Sequence, residues 1–236
     1  MTPIDIKVLA TTAMKTAFDE LAPQFEQATG NRLNVSFGPS LALEKRLGEG
    51  EAADLAIVSA AGARDLEVRG KVVAGSVVDL AGSPLGVAVQ KGAPKPDIST
   101  GEAFKRAFLA AKSIAVSKPV GGGQSGVHMA KVFEQLGISD AMAAKAKYGG
   151  GGPTGLVGLI IERGEAEIGV QQLAELMAVA GIDIVGPLPA ELQSITPFVA
   201  AIPSKASHAE AGRSVIGFLT TPAAKAVIKT KGLDPA

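Results

Sequence analysis

The chain has 236 residues, enough for one large domain or two small ones; 47% are hydrophobic and 19% charged, a balance that excludes a disordered chain. Lys plus Arg equals Asp plus Glu at 23 each. The formal charge is therefore zero, the broad basic field needed for phosphate-led nucleic-acid binding is missing, and nucleic acid is not an expected partner. No Cys is present, which excludes disulfides, thiolate catalysis and cysteine metal sites. The two histidines, His128 and His208, leave too few ligands for a transition metal, so neither metal nor cofactor is expected. With no Trp and one Tyr, aromatic stacking platforms are unsupported and a ligand would be held by polar groups. No apolar run reaches the ~20 residues of a membrane helix, so no membrane insertion is expected.

Met1-Thr2-Pro3 leads directly into the alternating strand Ile4–Leu9, with no basic n-region or apolar h-region before it. A cytoplasmic location is expected from the sequence as written, or a periplasmic one if a signal has been removed and Met1 is an added start. After Ala10-Thr11-Thr12, the residues Met14, Phe18, Leu21, Phe25 and Ala28 form a helical stripe that ends at Gly30. The unit then repeats. Leu33, Val35 and Phe37 alternate as a strand, Gly38-Pro39-Ser40 turns, and a short helix runs from Leu43 to about Gly48. A third strand, Leu55–Val58, precedes Ser59 and a helix reaching Arg69. Strands alternating with helices predict an α/β architecture with largely parallel sheets.

A second α/β segment follows, with strands at Leu85–Val89 and Ser113–Val116 and a helix over Glu102–Ala111. Lys118-Pro119-Val120 and the glycine-rich run Gly121–Gly126 precede a helix whose apolar positions Val127, Ala130, Phe133 and Leu136 predict its buried stripe. The run Tyr148–Pro153 reads as a loop, followed by a helix from Thr154 to about Arg163 and a strand over Glu167–Val170. Strands near Ile182–Val185 and Phe198–Ile202 and helices over Ala209–Leu219 and Pro222–Lys231 complete the chain. The expected crossings between lobes are Asp79–Ser83 and Gly169–Gln172.

Three predicted strand-to-helix turns are rich in hydroxyls or glycine: Thr11-Thr12, Pro39-Ser40, and Gly121–Gly126, which includes Gly123 and Ser125. Backbone N–H groups are unpaired at helix starts and the macrodipole is positive there, so such turns favour an anion. The alternative for each alone is an ordinary helix cap. Gly121–Gly126 also fits G-x-G-x-x-G, with Asp140 beyond it. However, the glycines do not follow their strand directly and Asp140 lies past a helix, which argues against a dinucleotide site. Val127-His128 after Gly126 excludes a P-loop.

Ala10-Thr11-Thr12, Phe25–Gly30, Phe37-Gly38-Pro39-Ser40 and Ala53–Ser59 together resemble the molybdate-binding branch of the type II periplasmic solute-binding proteins. The likeness continues through Lys118–Gly126, Leu136-Gly137-Ile138, Gly164–Gly169 and Phe218–Ala224. The resemblance implies a two-lobed α/β fold, each lobe a mostly parallel sheet flanked by helices, with the ligand cleft between lobes. It places lobe I at residues 1–81 plus 184–236 and lobe II at 82–183. It further implies Thr11, Thr12, Ser40 and Ser125 as ligand contacts, with Gln171 near the hinge, and an ABC transporter permease as partner if the protein is exported. The first loop carries threonines where serines are expected, and Val170-Gln171-Gln172 stands where a tyrosine is expected, so a carboxylate is favoured over molybdate. Amides at 171 and 172 suit carboxylate oxygens, and Lys15, Lys118 or Arg163 could compensate charge.

The same branch includes aconitate isomerase, which this chain resembles in layout and in Glu167–Leu173. An allylic proton shift needs a base and donors for the developing negative charge. His128 and Lys118 are the candidate proton-transfer groups, although His128 lies off the predicted apolar stripe and its alternative is an exposed helix histidine. Binding of a small anion leads, with cis/trans-aconitate isomerisation as the alternative.

Overall fold

A computed structural model describes residues 3–121, 123–150 and 152–236. In chain order the strands are β1 (Asp5–Thr11), β2 (Arg32–Gly38), β3 (Leu55–Ser59), β4 (Val78–Ser83), β5 (Leu85–Gln90), β6 (Ile114–Ser117), β7 (Ala146–Gly149), β8 (Ile168–Gln172), β9 (Ile182–Pro187), β10 (Thr196–Ala201) and β11 (Asp234–Pro235). The helices are α1 (Lys15–Thr29), α2 (Ser40–Gly48), α3 (Ala60–Val68), α4 (Gly101–Ala110), α5 (Gln124–Gln135), α6 (Ser139–Ala143), α7 (Val157–Glu162), α8 (Leu173–Leu176), α9 (Ala209–Leu219) and α10 (Pro222–Thr230).

The chain divides into two compact units, the segment up to Ser83 with Thr196–Ala236, and Pro84–Ile195. The first passage between them, at Ser83–Pro84, follows the end of β4. The second lies at Ile195–Thr196 and not at Gly169–Gln172, because β8 is paired on both sides, with β5 and β6, inside the second unit. Residues 184–195, assigned above to lobe I, likewise belong to the second unit, since β9 pairs with β5.

In the first unit the sheet order is β11-β4-β10-β3-β1-β2. β1 is parallel to β2 and β3, and β3 is buried at every residue, as a strand covered on both faces must be. α1 buries Ala17, Phe18, Leu21 and Phe25 and stops at Gly30, whose φ of 74° is a left-handed cap. Asp54 is buried and accepts from the backbone N–H of Lys7 at 2.9 Å and of His208 at 2.7 Å. It thereby joins β1 to the chain entering α9.

In the second unit the order is β7-β6-β8-β5-β9. Alternate residues serve opposite faces. Val87, Val89, Ile114 and Val116 join a core with Phe104, Phe108 and Phe133, whereas Ala88 and Ala115 join another with Val157, Ile161 and Leu176. No described helix is long and apolar enough to cross a membrane.

Candidate functional site

Strand direction collects the hydroxyls of the first unit. Thr11 pairs with Gly38, so β1 and β2 finish together, and β3, parallel to β1, finishes at the same edge. β4 is antiparallel to β10, itself antiparallel to β3, which brings Ser83 to that edge as well. Thr11, Thr12, Ser40, Ser59 and Ser83 are all buried there.

Their hydrogen bonding separates unpartnered hydroxyls from caps. Ser59, Thr100 and Thr221 are true caps, accepting from the N–H of Gly62 at 3.1 Å, Ala103 at 3.1 Å and Ala224 at 3.3 Å. Thr11 precedes a 3-10 turn over Thr12–Met14 without capping it through its side chain. At α2 the cap position is Pro39, which leaves Ser40 inside the first turn. The buried hydroxyl oxygens of Thr12, Thr16, Ser40 and Ser83 have no hydrogen-bond partner among the described residues. An unpaired buried hydroxyl costs about 1–3 kcal/mol, so such groups mark a surface shaped for something other than the fold.

The third strand end differs. Glu44 of α2 accepts from the Ser59 hydroxyl at 2.6 Å and the Ser59 N–H at 3.3 Å. A Cβ added at Gly62 would lie 2.0 Å from the Glu44 carboxyl carbon, so glycine is required for that approach. Burial pushes the Glu44 carboxyl above its ordinary value, while the Ser59 hydrogen bonds oppose the shift.

In the second unit β6 ends at Ser117, and α5 begins at Gln124 behind Gly123, whose φ of 109° favours glycine. Gly122 of the glycine-rich run, and Gly151 of the later one, lie outside the described residues. Ser125 is buried, and its hydroxyl meets the Ser117 hydroxyl at 3.0 Å. A Cβ at Gly126 would stand 2.2 Å from the Lys118 carbonyl oxygen, so this helix start packs directly on its own loop. Leu85 faces Gln172, which puts Gln171 one register step from the start of β5. The buried Gln171 accepts the Val157 N–H at 2.8 Å through Oε1 and so satisfies the first turn of α7.

The two proton-transfer candidates fare differently. α5 is rotated from the predicted stripe: Gly126, Met129, Val132 and Phe133 are buried, while Ala130 is exposed. His128 is consequently partly buried, not exposed, with Nε2 2.8 Å from the Leu192 carbonyl oxygen. A carbonyl oxygen can only accept, so Nε2 is the donor of that contact. Lys118 is exposed beside the loop. Lys15 pairs with Asp19 at 2.7 Å and Arg163 with Glu165, so neither is a free counter-charge. Among the described residues no cluster of His, Asp or Glu could hold a metal. An apolar cavity of about 130 Å³ under α5, lined by Met129, Phe133, Met142 and Tyr148, has no charged side chain on its wall and does not suit an anion.

Thr16, Ser83 and Glu175 were not singled out from the sequence. Thr16 stands one helical turn after Thr12, a spacing that could have flagged it. Glu175 sits on α8, immediately after β8, and its carboxyl is pushed up to about 7 by burial, opposed by a hydrogen bond with Gln171. A single acid in a short apolar helix gives no such signal in sequence.

Two α/β units with strand-end donors, one carrying buried hydroxyls that the fold does not use, define a receptor for small solutes. The chain belongs to the family of bacterial extracellular solute-binding proteins, whose family model matches residues 6–234. Over 236 residues it is 37% identical to an aconitate isomerase of Pseudomonas sp, covering 98% of this chain and 87% of that one. Its fold is that of the periplasmic binding proteins. A periplasmic molybdate-binding protein of Azotobacter vinelandii superposes with a TM-score of 0.78 at 21% identity, covering 97% of this chain and 98% of that chain. The sulfate-binding protein SubI of Mycobacterium tuberculosis superposes with a TM-score of 0.75 at 16% identity, covering 99% and 87%.

Proposed function

We propose that this protein binds a small anion, and that carboxylate oxygens suit it better than molybdate. The observation that carries the reading is the pair of buried hydroxyls, Thr12 and Ser40, that find no acceptor or donor among the described residues although they stand at helix starts on one sheet edge. A ligand oxygen at that edge would accept from them and from the backbone N–H groups of the opening turns, without the desolvation that an arginine cluster requires. In the second unit the corresponding turn is that of Gly123 and Ser125, where the Ser125 hydroxyl donates to Ser117 Oγ at 3.0 Å and the backbone N–H groups opening α5 would serve the ligand. As a transport receptor the protein would act in the periplasm and hand its anion to an ABC permease.

A thermal-shift panel of molybdate, tungstate, sulfate, citrate and the aconitates tests this. Ligands that bind only the folded form raise the melting temperature, by a stabilisation of about 2.7 kcal/mol at one hundred times Kd. The expected result is a shift with tricarboxylates that exceeds the shift with molybdate. No shift with any of them would refute anion binding.

The 37% identical aconitate isomerase supports a second reading, isomerisation of aconitate. Incubation with trans-aconitate, followed by NMR for the cis isomer, decides it; no conversion above buffer would remove the reading.

A further inference from the structure

We propose that Glu175, fixed by Gln171 at the carboxyl edge of β8, is the group that moves the proton on a carbon-acid ligand held at the second unit. The inference rests on the isomerase reading. It replaces the two candidates that the sequence singled out.

Three observations carry it. The first is placement. β6, β7 and β8 are mutually parallel, so Ser117, Gly149 and Gln172 finish at one edge, and Glu175 is the third residue beyond β8 on the α8 turn that follows. The donor loop of Gly123 and Ser125 leaves β6 at this same edge.

The second is orientation. Gln171 Oε1 is held by the Val157 N–H at 2.8 Å, which turns the amide NH₂ outward as a donor, and this side chain hydrogen-bonds Glu175. A carboxyl positioned by a clamped amide presents its second oxygen in a defined direction.

The third is the lack of any neutralising charge. Among the described residues no salt bridge involves Glu175. α8 packs on β5, β8, β9 and α7. β5 and β8 contain no ionisable side chain, β9 contributes Asp183, and α7 contributes Glu162. Asp183 accepts from the Gly92 N–H at 2.8 Å, and Glu162 lies against Gly181. Neither perturbs Glu175, whose only influences are burial and Gln171. The carboxyl, pushed up to about 7 by burial, therefore exchanges its proton near neutral pH, as a general base and acid must, and the residue as a whole is partly, not fully, buried. His128, by contrast, has one ring nitrogen, Nε2, committed to the Leu192 carbonyl and stands on α5, not on the turn that follows β8, and Lys118 lies in an exposed loop.

The step balances within the ligand and this one carboxyl. Glu175 as carboxylate takes a proton from the methylene carbon of an allylic tricarboxylate. The C–H electron pair forms a new C=C bond, and the pair of the old double bond moves to its far carbon. That carbon takes the proton back from the Glu175 carboxylic acid, so no oxidant, reductant or further reactant is needed.

The test follows trans-aconitate in D₂O by NMR with wild type, Glu175→Gln and Glu175→Asp, each first checked by thermal melting with and without trans-aconitate. Wild type is expected to exchange the methylene protons for deuterium, with a rate that rises with pH and levels above about 7. Glu175→Gln is expected to keep its melting shift with trans-aconitate and to lose exchange by about 10²-fold or more, the usual scale for removing a general base, whereas Glu175→Asp retains a measurable part. If Glu175→Gln exchanges at the wild-type rate, or wild type shows no inflection near neutrality, the assignment of Glu175 is overturned. If wild type binds but never exchanges, the isomerase reading falls and takes the proposal with it.

Discussion

Thr12 and Ser40 differ from Ser59, Thr100 and Thr221 in geometry alone: the last three bend back to cap their helices, and the first two do not. Replacing Ser40 by Ala, or Thr12 by Val, should therefore cost little folding free energy, since neither hydroxyl is satisfied by the protein. Each should weaken anion affinity by roughly 3- to 10-fold, the value of about one hydrogen bond; calorimetric titration of the tricarboxylate measures it. Gly126→Ala should do the opposite. Its methyl would press on the Lys118 carbonyl, so the loop must shift, and a stability loss of about 1–3 kcal/mol is expected in urea unfolding. For Glu175 the sign is opposite to that of an ordinary paired acid. Its folded pKa, about 7, lies above the ordinary carboxylate value of 4.5, so it contributes nothing below pH 4.5 and destabilises progressively as pH rises toward 7. The cost levels off above pH 7, at about 3–4 kcal/mol as an upper bound. Melting curves from pH 4 to 8 should show wild type losing stability relative to Glu175→Gln over that window.

At the scale of elements, alternating strands and helical stripes made most of the architecture readable, because both periods are dictated by burial on one face. The parts that escaped are those without a period of their own. β7 has four residues and ends in the glycine run that reads as a loop, and β11 has two residues held against β4. α7 starts at Val157, three residues later than its pattern suggests, because Gln171 from β8 supplies the acceptor that fixes its first turn. The rotation of α5 has a similar origin. Gly126 must lie against the Lys118 carbonyl, and this contact sets the helix phase ahead of the apolar pattern. Asp54 shows how one side chain can bind two elements: Asp54→Ala strips acceptors from the Lys7 and His208 N–H groups. A loss of about 2–4 kcal/mol is expected from chemical denaturation, since each buried donor left unpaired carries a penalty.

For the whole molecule, the order of strands in sequence made two α/β units legible, but not where the chain returns from the second to the first. β9 reads equally well as a strand of either unit, and only its pairing with β5 assigns it. Likewise the donor turns of Thr11-Thr12, Ser40 and Ser125 were visible as sequence patterns, whereas Glu175 became visible only through burial. Both hydrophobic cores of the second unit, which run from Leu85 to Leu192, draw solely on Pro84–Ile195. A polypeptide of residues 84–195 should accordingly fold by itself, with a cooperative melt and dispersed amide resonances, whereas residues 1–83 lack β10 and β11 and should not.

The Glu44 carboxylate against Ser59 has a wider meaning. By planting an acid of its own at the mouth of α3, the first unit answers that helix's positive pole internally, and an incoming guest finds the place taken. On the reading proposed above, the helix mouths after β1 and β2 would be left to receive a guest on that sheet. On that reading, selectivity would be set as much by this internal carboxyl as by the hydroxyls left over for a ligand.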